Sequence, residues 1–194
     1  MWSETHRPRR YTLLNYLGST EVLTVNEPTG TLHFIAGRLA SGKTTLAREI
    51  STTQSAVLFC EDVWLSKLSD GIGSFEDYLK WSRRCRSVMG PLIIEILKAG
   101  ASVVMDFAGN TVVERSWVRS LFEAAGADHV LYVLEASEEV CLSRLIGRNE
   151  ERPEGLYFAT TTEEEFRAIC KFFQPPSLAE GFKLSRAATS EAKG

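Results

Sequence analysis

Residues 37–44 (GRLASGKT) restrict the fold of this chain more than any other segment, because they complete the pattern G-x-x-x-x-G-K-[ST] of a phosphate-binding loop, or P-loop. Glycines let backbone N–H groups turn toward an anion, and a helix beginning near Thr44 adds the positive end of its dipole. Lys43 would reach the β- and γ-phosphates of a nucleotide, and the Thr44 hydroxyl would help to hold Mg²⁺. The predicted nucleotide contacts in the loop are Gly37, Ala40, Ser41, Gly42, Lys43, Thr44 and Thr45.

The flanks of the loop have the sequence that a P-loop requires. Residues 31–36 (TLHFIA) are apolar and β-prone and follow a Pro-Thr-Gly turn signal, and residues 45–50 (TLAREI) are compatible with a helix. A glycine-rich turn without a ligand is the alternative. The order strand, loop, helix favours nucleotide binding.

Length and composition limit the remaining classes. A chain of 194 residues is long enough for one well-buried domain, and 44% hydrophobic with 24% charged residues excludes a mainly disordered protein. We expect an N-terminal extension over 1–30, the main domain over 31–185 and a flexible tail over 186–194. No apolar run has the length of a membrane span or the form of a signal peptide, so the prediction is a cytoplasmic protein without a membrane partner.

Net charge and cysteine spacing argue against broad nucleic-acid binding and against a zinc or disulfide site. The net charge of -3 argues against broad affinity for nucleic acids, which usually requires a basic excess. Arg83, Arg84 and Arg86 could still form a local basic groove, although a solvated helix face is the simpler interpretation. The four cysteines are widely separated and indicate neither a zinc site nor a disulfide framework.

The rest of the chain alternates between strand and helix patterns. The apolar strands lack polar alternation, which is typical of an α/β fold with a parallel sheet covered by helices on both faces. The predicted strands are 31–36, 56–60, 102–107 and 129–134, with 21–25 as a possible edge strand. The predicted helices are 74–89, 91–99 (Pro91 in its first turn), 112–125 (ending at Gly126), 137–148 (with Ser137 as N-cap) and 163–172.

Three acidic residues follow predicted strands. Glu61 and Asp62 come directly after the second strand, and Asp106 lies near the end of the third. Ligands of open parallel sheets bind beyond the carboxyl ends of the strands, so these side chains lie where chemistry is expected. Asp106 occupies the position at which a P-loop protein would have a carboxylate near its Mg²⁺.

Arg144, Arg148 and Arg152 are spaced by four residues, which places the first two on one helix face. They could form a lid that clamps the transferring phosphate and the nucleotide. Equally, they could be the exposed side of an amphipathic helix that pairs with Glu150 and Glu151.

Four segments resemble a known group of proteins. These are EDVWL at 61–65, VVMDF at 103–107, the R-x-x-x-R pair Arg144 and Arg148, and FFQPPSLAEGF at 172–182. Together with the P-loop, they make residues 31–182 similar to the P-loop kinases that include the kinase domain of polynucleotide kinase, chloramphenicol phosphotransferase and zeta-toxin-like enzymes, and to small bacterial ATP-binding proteins regarded as kinases. The resemblance implies a nucleoside-kinase-like fold with a helical lid, and ATP and Mg²⁺ as cofactors.

The resemblance also implies roles for single residues. Asp62 matches the base that accepts the proton of the acceptor hydroxyl, although it could instead hold Mg²⁺ through water or cap the following helix. Asp106 matches a carboxylate that faces the acceptor or the Mg²⁺ shell. Arg144 matches the lid arginine that stabilises charge on the transferring phosphate, together with Lys43, and Arg148 matches a lid residue that contacts the nucleotide.

The predicted function is ATP-dependent transfer of the γ-phosphate to a hydroxyl of a small molecule. Glu61 stands where the polynucleotide kinases have a basic residue, and its charge would repel a polyanionic acceptor. A nucleic-acid 5′-hydroxyl kinase and a nucleotide-dependent switch or ATPase are the alternatives. We expect aromatic residues to line the acceptor pocket, unless they belong to the core: Trp64, Phe75, Tyr78 and Trp81.

Overall fold

Five parallel strands form the central sheet in a computed structural model of the chain, which describes residues 9–14, 20–25, 29–152 and 160–188. The strands are β3 (Thr31–Ala36), β4 (Val57–Cys60), β5 (Val103–Asp106), β6 (Asp128–Glu135) and β7 (Leu184–Ala188). Their order across the sheet is β4-β5-β3-β6-β7, and all neighbours run parallel. Strand β3 leads into the P-loop and is central, so ligands at the loop meet the ends of strands on both sides.

Helices cover both faces of this sheet, as the sequence predicted. They are α1 (Lys43–Thr53), α2 (Glu61–Leu68), α3 (Phe75–Lys98), α4 (Val112–Ala125), α5 (Glu138–Glu151) and α6 (Glu163–Cys170). Leu32, Phe34 and Ala36 of β3 lie in an apolar cluster with α3 and α4. Ile35, on the opposite side of the same strand, packs with Ala47 of α1. Both faces of the strand are therefore buried, which explains its continuous apolar sequence.

Helix ends follow local capping signals that are visible in the sequence. Thr111 and Glu114 form a reciprocal capping box at the start of α4, and Gly126 ends that helix in the left-handed region at φ 63°. The predicted N-cap Ser137 accepts a hydrogen bond from the N–H of Val140 at the start of α5. These boundaries were predicted correctly because they depend on neighbouring residues only.

Helix α3 differs from the prediction of two helices separated before Pro91. It is continuous from Phe75 to Lys98, with Pro91 in its interior. Proline removes one backbone donor and normally interrupts a helix. Here Met89 before the proline and Ile93 and Leu97 after it are all buried. Packing of these side chains in the core therefore keeps the two halves of α3 continuous.

The ends of the chain also differ from expectation. The predicted strand near residue 21 is β2 (Thr20–Val25), which pairs antiparallel with β1 (Arg9–Leu14) in a separate two-stranded sheet. The predicted tail from residue 186 is wrong at its start, because β7 continues to Ala188 and pairs with β6. Residues 189–194 lie outside the described part of the chain. None of the helices described is both long enough and apolar enough to cross a bilayer.

Candidate active site

The P-loop connects β3 to α1 through two residues in the left-handed backbone region, Ala40 at φ 59° and Gly42 at φ 101°. Gly37 is tightly enclosed, because a Cβ there would lie 2.6 Å from Oγ of Ser41. Ser41 is buried. The loop therefore has the glycines where its turn and its close packing need them.

Lys43 turns back over the loop from the first residue of α1. Its Nζ donates to the carbonyl oxygen of Gly37 at 3.0 Å and to that of Arg38 at 2.8 Å. Burial lowers the pKa of Lys43, and the negative charges of Asp106 and Asp62 partly oppose that shift. The ammonium group is therefore held at the loop, where it interacts electrostatically with both predicted carboxylates.

Asp62 and Asp106 converge from neighbouring strands. Asp106 is the last residue of β5 and pairs in register with Cys60, the last residue of β4. Asp62 follows two residues later, in the first turn of α2. Burial, and then the charges of Asp106 and Glu61, raise the pKa of Asp62 to about 6. A carboxyl group with such a pKa can exchange a proton near neutral pH.

Arg144 and Arg148 extend from α5 toward this centre, as the lid interpretation requires. Nη1 of Arg144 donates to the carbonyl oxygen of Ser41 at 3.0 Å. Arg148 lies near enough that its charge lowers the pKa of both Asp62 and Lys43. Arg152 is different, because it ends α5 in the left-handed conformation at φ 47° and is exposed.

Apolar packing holds α5 and α6 against the P-loop. A buried cluster joins the strand end after β6 with α5 and α6, and the P-loop side chains of Leu39 and Ala40 pack against it. The members of the cluster are Ala136, Cys141, Leu145 and Phe166. Helix α5, which carries Arg144 and Arg148, is therefore held against the P-loop.

Two buried polar atoms in the described chain have no hydrogen-bond partner, and both belong to this region: Oγ of Ser41 and Nε of Arg148. Buried polar groups are rarely left unsatisfied unless a ligand supplies the partner. These atoms fit an anionic ligand at the loop. Thr44 and Asp106 fit Mg²⁺, which needs only one or two protein ligands beside substrate phosphates. No cluster of three or more His, Cys, Asp or Glu among the described residues could hold a metal alone.

Glu61 directly follows β4, as the sequence predicted, but its side chain is buried. Its side chain is 2% exposed and forms an ion pair with Arg86, with Nε 3.1 Å from Oε1. Arg86 therefore opposes the charge of Glu61 inside the protein, which weakens the expected repulsion of a polyanionic acceptor. Arg86 in turn lies over the ring of Trp117, so it does not belong to a solvated basic face.

The aromatic residues predicted for the acceptor pocket have different surroundings. Tyr78 and Trp81 are partly buried against the core, which is the alternative that the sequence left open. Trp64 is 38% exposed and stacks on Phe59 with ring centroids 6.3 Å apart. The side chain of Phe75 lies outside the described set.

Arg83 and Arg84 are exposed, and Arg84 lies over the ring of Trp81.

Sequence reasoning missed how the segment after α6 is attached. Gln174 donates its N–H to the carbonyl oxygen of Asn110, and its side-chain oxygen accepts the N–H of Val112. Glu180 pairs with Arg115, which is completely buried. The resemblance at residues 172–182 was the only signal, because contacts between distant segments leave no local pattern.

A cavity of about 350 Å³ lies beside the loop, at the carboxyl end of β6. Arg38, Phe173 and Arg186 contribute to its lining. Arg38 lies over the ring of Phe173, and Arg186 pairs with Glu135. The cavity offers an aromatic ring and fixed charges next to the phosphate-binding loop.

Solved structures share this fold. A proposed kinase from Chloroflexus aurantiacus has 20% identity and a TM-score of 0.67 over 83% of this chain and 86% of its own. The Mycobacterium tuberculosis APS kinase has 19% identity and a TM-score of 0.58 over 85% and 91%. A chain of the Pnkp1/Rnl/Hen1 RNA repair complex has 18% identity and a TM-score of 0.58 over 76% and 45%. At these identities the likeness establishes the fold alone.

Sequence comparison gives the family. Among curated protein sequences none matches this chain significantly. The family profile described as AAA domain matches residues 32–176, which include the P-loop, both converging carboxylates and the arginines of α5. Because this match spans more than half of the 194 residues, the chain belongs to the AAA-domain family of P-loop proteins.

Proposed function

We propose that the protein is an ATP-dependent phosphotransferase that moves the γ-phosphate of ATP to a hydroxyl group of a small molecule. The observation that carries this proposal is the position of Asp62. Its carboxyl group interacts with Lys43 of the P-loop, and its pKa of about 6 suits a proton acceptor near neutral pH. A protein that only bound a nucleotide would not need such a group.

Each side chain of the site has a task in this reaction. The loop and Lys43 hold the phosphates, and the guanidinium of Arg144 stabilises negative charge on the phosphoryl group during transfer. Asp62 accepts the hydroxyl proton as the new O–P bond forms and the bond to the β-phosphate oxygen breaks, which releases ADP. Mg²⁺, when held at Thr44 and Asp106, supplies positive charge for the β- and γ-phosphates.

A nucleic-acid 5′-hydroxyl kinase is the second candidate. The ion pair of Glu61 with Arg86 weakens the electrostatic objection to a polyanionic acceptor. Arg83 and Arg84 are exposed on α3, the helix whose Arg86 pairs with Glu61. Binding through such arginines should weaken strongly as the salt concentration rises.

One experiment distinguishes these candidates from a switch or ATPase. ATP turnover with Mg²⁺ is measured alone and with a panel of nucleosides, sugars, aminoglycosides and 5′-hydroxyl oligonucleotides, and mass spectrometry detects phosphorylated products. A gain of one phosphate on a small alcohol supports the proposal, and a gain on the oligonucleotide supports the second candidate. Slow ATP loss without any phosphorylated acceptor supports the switch or ATPase.

The variant Asp62→Asn identifies the base. A kinase should lose acceptor-dependent turnover by about two to four orders of magnitude, whereas an ATPase that needs no acceptor base should keep its slow hydrolysis. Asp70→Asn is the matched control, because Asp70 is exposed beyond the end of α2 and should keep full turnover.

A further inference from the structure

Glu61 receives four hydrogen bonds although its side chain is almost completely buried. Its Oε1 accepts from Oγ of Ser82 at 2.6 Å and from Nε of Arg86 at 3.1 Å. Its Oε2 accepts from the N–H of Ala108 at 3.3 Å and from the hydroxyl of Tyr78 at 3.5 Å. Each oxygen therefore has two hydrogen-bond partners, which leaves little acceptor capacity of the side chain unused.

The donors come from two separate parts of the fold. Tyr78, Ser82 and Arg86 are spaced by four residues, so they form one polar row on the face of α3 that meets Glu61. Ala108 belongs to the loop between β5 and α4, two residues after Asp106. Glu61 therefore joins the start of α2 to α3 and to the loop that follows Asp106.

The surroundings make this junction rigid. The guanidinium of Arg86 lies between Glu61 and the ring of Trp117 of α4, 4.9 Å from the ring centroid. Burial, and then the charges of Glu61 and Asp62, raise the pKa of Tyr78 well above its ordinary value, so its hydroxyl keeps the proton that it donates. Satisfied buried networks of this kind fix the groups that take part in them.

We propose that Glu61 is a positioning residue for phosphotransfer: its buried carboxylate holds Asp62 and the loop after Asp106 in one fixed arrangement against α3. The inference rests on the proposed function of Asp62 as the base. Asp62 is the next residue along α2, so a shift of Glu61 moves the base directly. The hydrogen-bond partners of Glu61 in the described part of the chain lie outside the P-loop, so nucleotide affinity should depend little on it.

The test is a double-mutant cycle on turnover, with ATP affinity measured in parallel by calorimetry. Glu61→Gln keeps the shape but replaces an acceptor by a donor. We expect turnover to fall about 10- to 100-fold, because small misplacements of reacting groups have effects of this size. ATP affinity should stay within about twofold. In the Asp62→Asn background, Glu61→Gln should lower turnover much less than it does in the wild type, since most of its effect passes through the residue already removed.

Two further variants control for misfolding and for the loss of a surface charge. Glu61→Gln combined with Arg86→Gln removes both charges, so it folds even where the single change leaves Arg86 unpaired, and it should show the same loss of turnover. Glu95→Gln should behave as wild type, because Glu95 of α3 is 71% exposed and pairs with Lys98 in a solvent-facing contact. Hydrogen exchange of the peptide containing Ala108 should accelerate in Glu61→Gln and not in Glu95→Gln.

Several results would overturn the inference. Parallel losses of ATP affinity and turnover, or losses that multiply in the Asp62→Asn background, would mean that the network only stabilises the fold. Unchanged exchange at the Ala108 peptide would mean that Glu61 does not hold the loop. A wild-type protein that hydrolyses ATP without phosphorylating any acceptor contradicts the proposed function instead, and the same cycle can then be measured on hydrolysis. There, a loss in Glu61→Gln with none in Asp62→Asn would overturn the inference.

Discussion

Arg115 and Glu180 form a two-point ion pair in the interior of the protein. Nε of Arg115 donates to Oε2 of Glu180 at 2.6 Å, and Nη2 donates to Oε1 at 3.0 Å. The Arg115 side chain has no exposed surface, and its third contact is the carbonyl oxygen of Gly109 at 2.9 Å. Because Arg115 lies in α4 and Glu180 just before β7, the pair fastens the C-terminal segment to the rest of the fold.

Replacing Glu180 by Gln should lower the free energy of unfolding by about 3 kcal/mol, because it leaves Arg115 buried without its partner. Urea denaturation at pH 7 measures the change. Glu123→Gln is the control, since Glu123 pairs with Arg119 where both side chains are exposed, and this change should stay within about 0.5 kcal/mol. Equal effects in the two variants would mean that burial adds nothing to the Arg115 pair.

This pair illustrates what the sequence could not predict. The P-loop, the strand that leads into it and most helix limits follow from neighbouring residues, through glycine positions, caps and periodicity. Arg115 pairs with a residue 65 positions later, and no local pattern distinguishes it from an exposed helix arginine. The same reason applies to Glu61, whose burial depends on donors from α3 and from the loop after β5.

The candidate site shows the same division. Topology was sufficient to bring Asp62 and Asp106 together, because the carboxyl ends of parallel strands meet at one edge. The helix α3 was divided wrongly, since proline has a strong local preference that packing of Met89 and Ile93 overrides. The inward direction of Arg144 was left open by its spacing, and only the position of α5 on the P-loop decides it.

Asp62→Asn should stabilise the protein above pH 6. The pKa of Asp62 is raised from 3.8 to about 6, so the folded state binds its proton more tightly than the unfolded state does. The wild type therefore loses stability as the pH rises between those two values. The variant avoids this loss and should gain on the order of 3 kcal/mol at pH 8, with no gain below pH 4.

Thermal unfolding of both proteins across this pH range measures the effect. Asp70→Asn should follow the wild-type curve at every pH, because Asp70 is exposed. A constant difference between wild type and Asp62→Asn at all pH values would contradict the raised pKa. A gain in stability combined with lost turnover would show that the ionised Asp62 carboxylate lowers the stability of the fold but is needed for activity.

Lys43→Ala should weaken ATP binding about 10- to 100-fold, because it removes one charge-assisted contact with the phosphates. The fold should tolerate the change, since burial already lowers the pKa of Lys43 and makes its charge unfavourable without a ligand. Calorimetry with a non-hydrolysable ATP analogue measures the affinity. Lys98→Ala, at the exposed end of α3, should bind as wild type. Unchanged affinity and full turnover in Lys43→Ala would place the phosphates elsewhere.

Arg144→Ala should separate turnover from binding. The guanidinium donates to the carbonyl oxygen of Ser41, so it lies at the loop without being part of it. Its charge is most useful when negative charge develops on the transferring phosphoryl group, and its loss should lower kcat about 100-fold. The loop and Lys43 keep their charge-assisted contacts with the phosphates in this variant. The dissociation constant for ATP should therefore change by less than about threefold.

Steady-state ATP turnover and calorimetry on the same preparation measure these two quantities. Arg167→Ala is the matched control, because Arg167 of α6 pairs with Glu163 in an exposed contact and should leave both unchanged. Arg144→Lys keeps the charge but loses the planar fork, so it should recover only part of kcat. If Arg144→Ala instead weakened ATP binding as much as it slowed turnover, the arginine would hold the ground-state nucleotide. It would then have no separate part in stabilising the transition state.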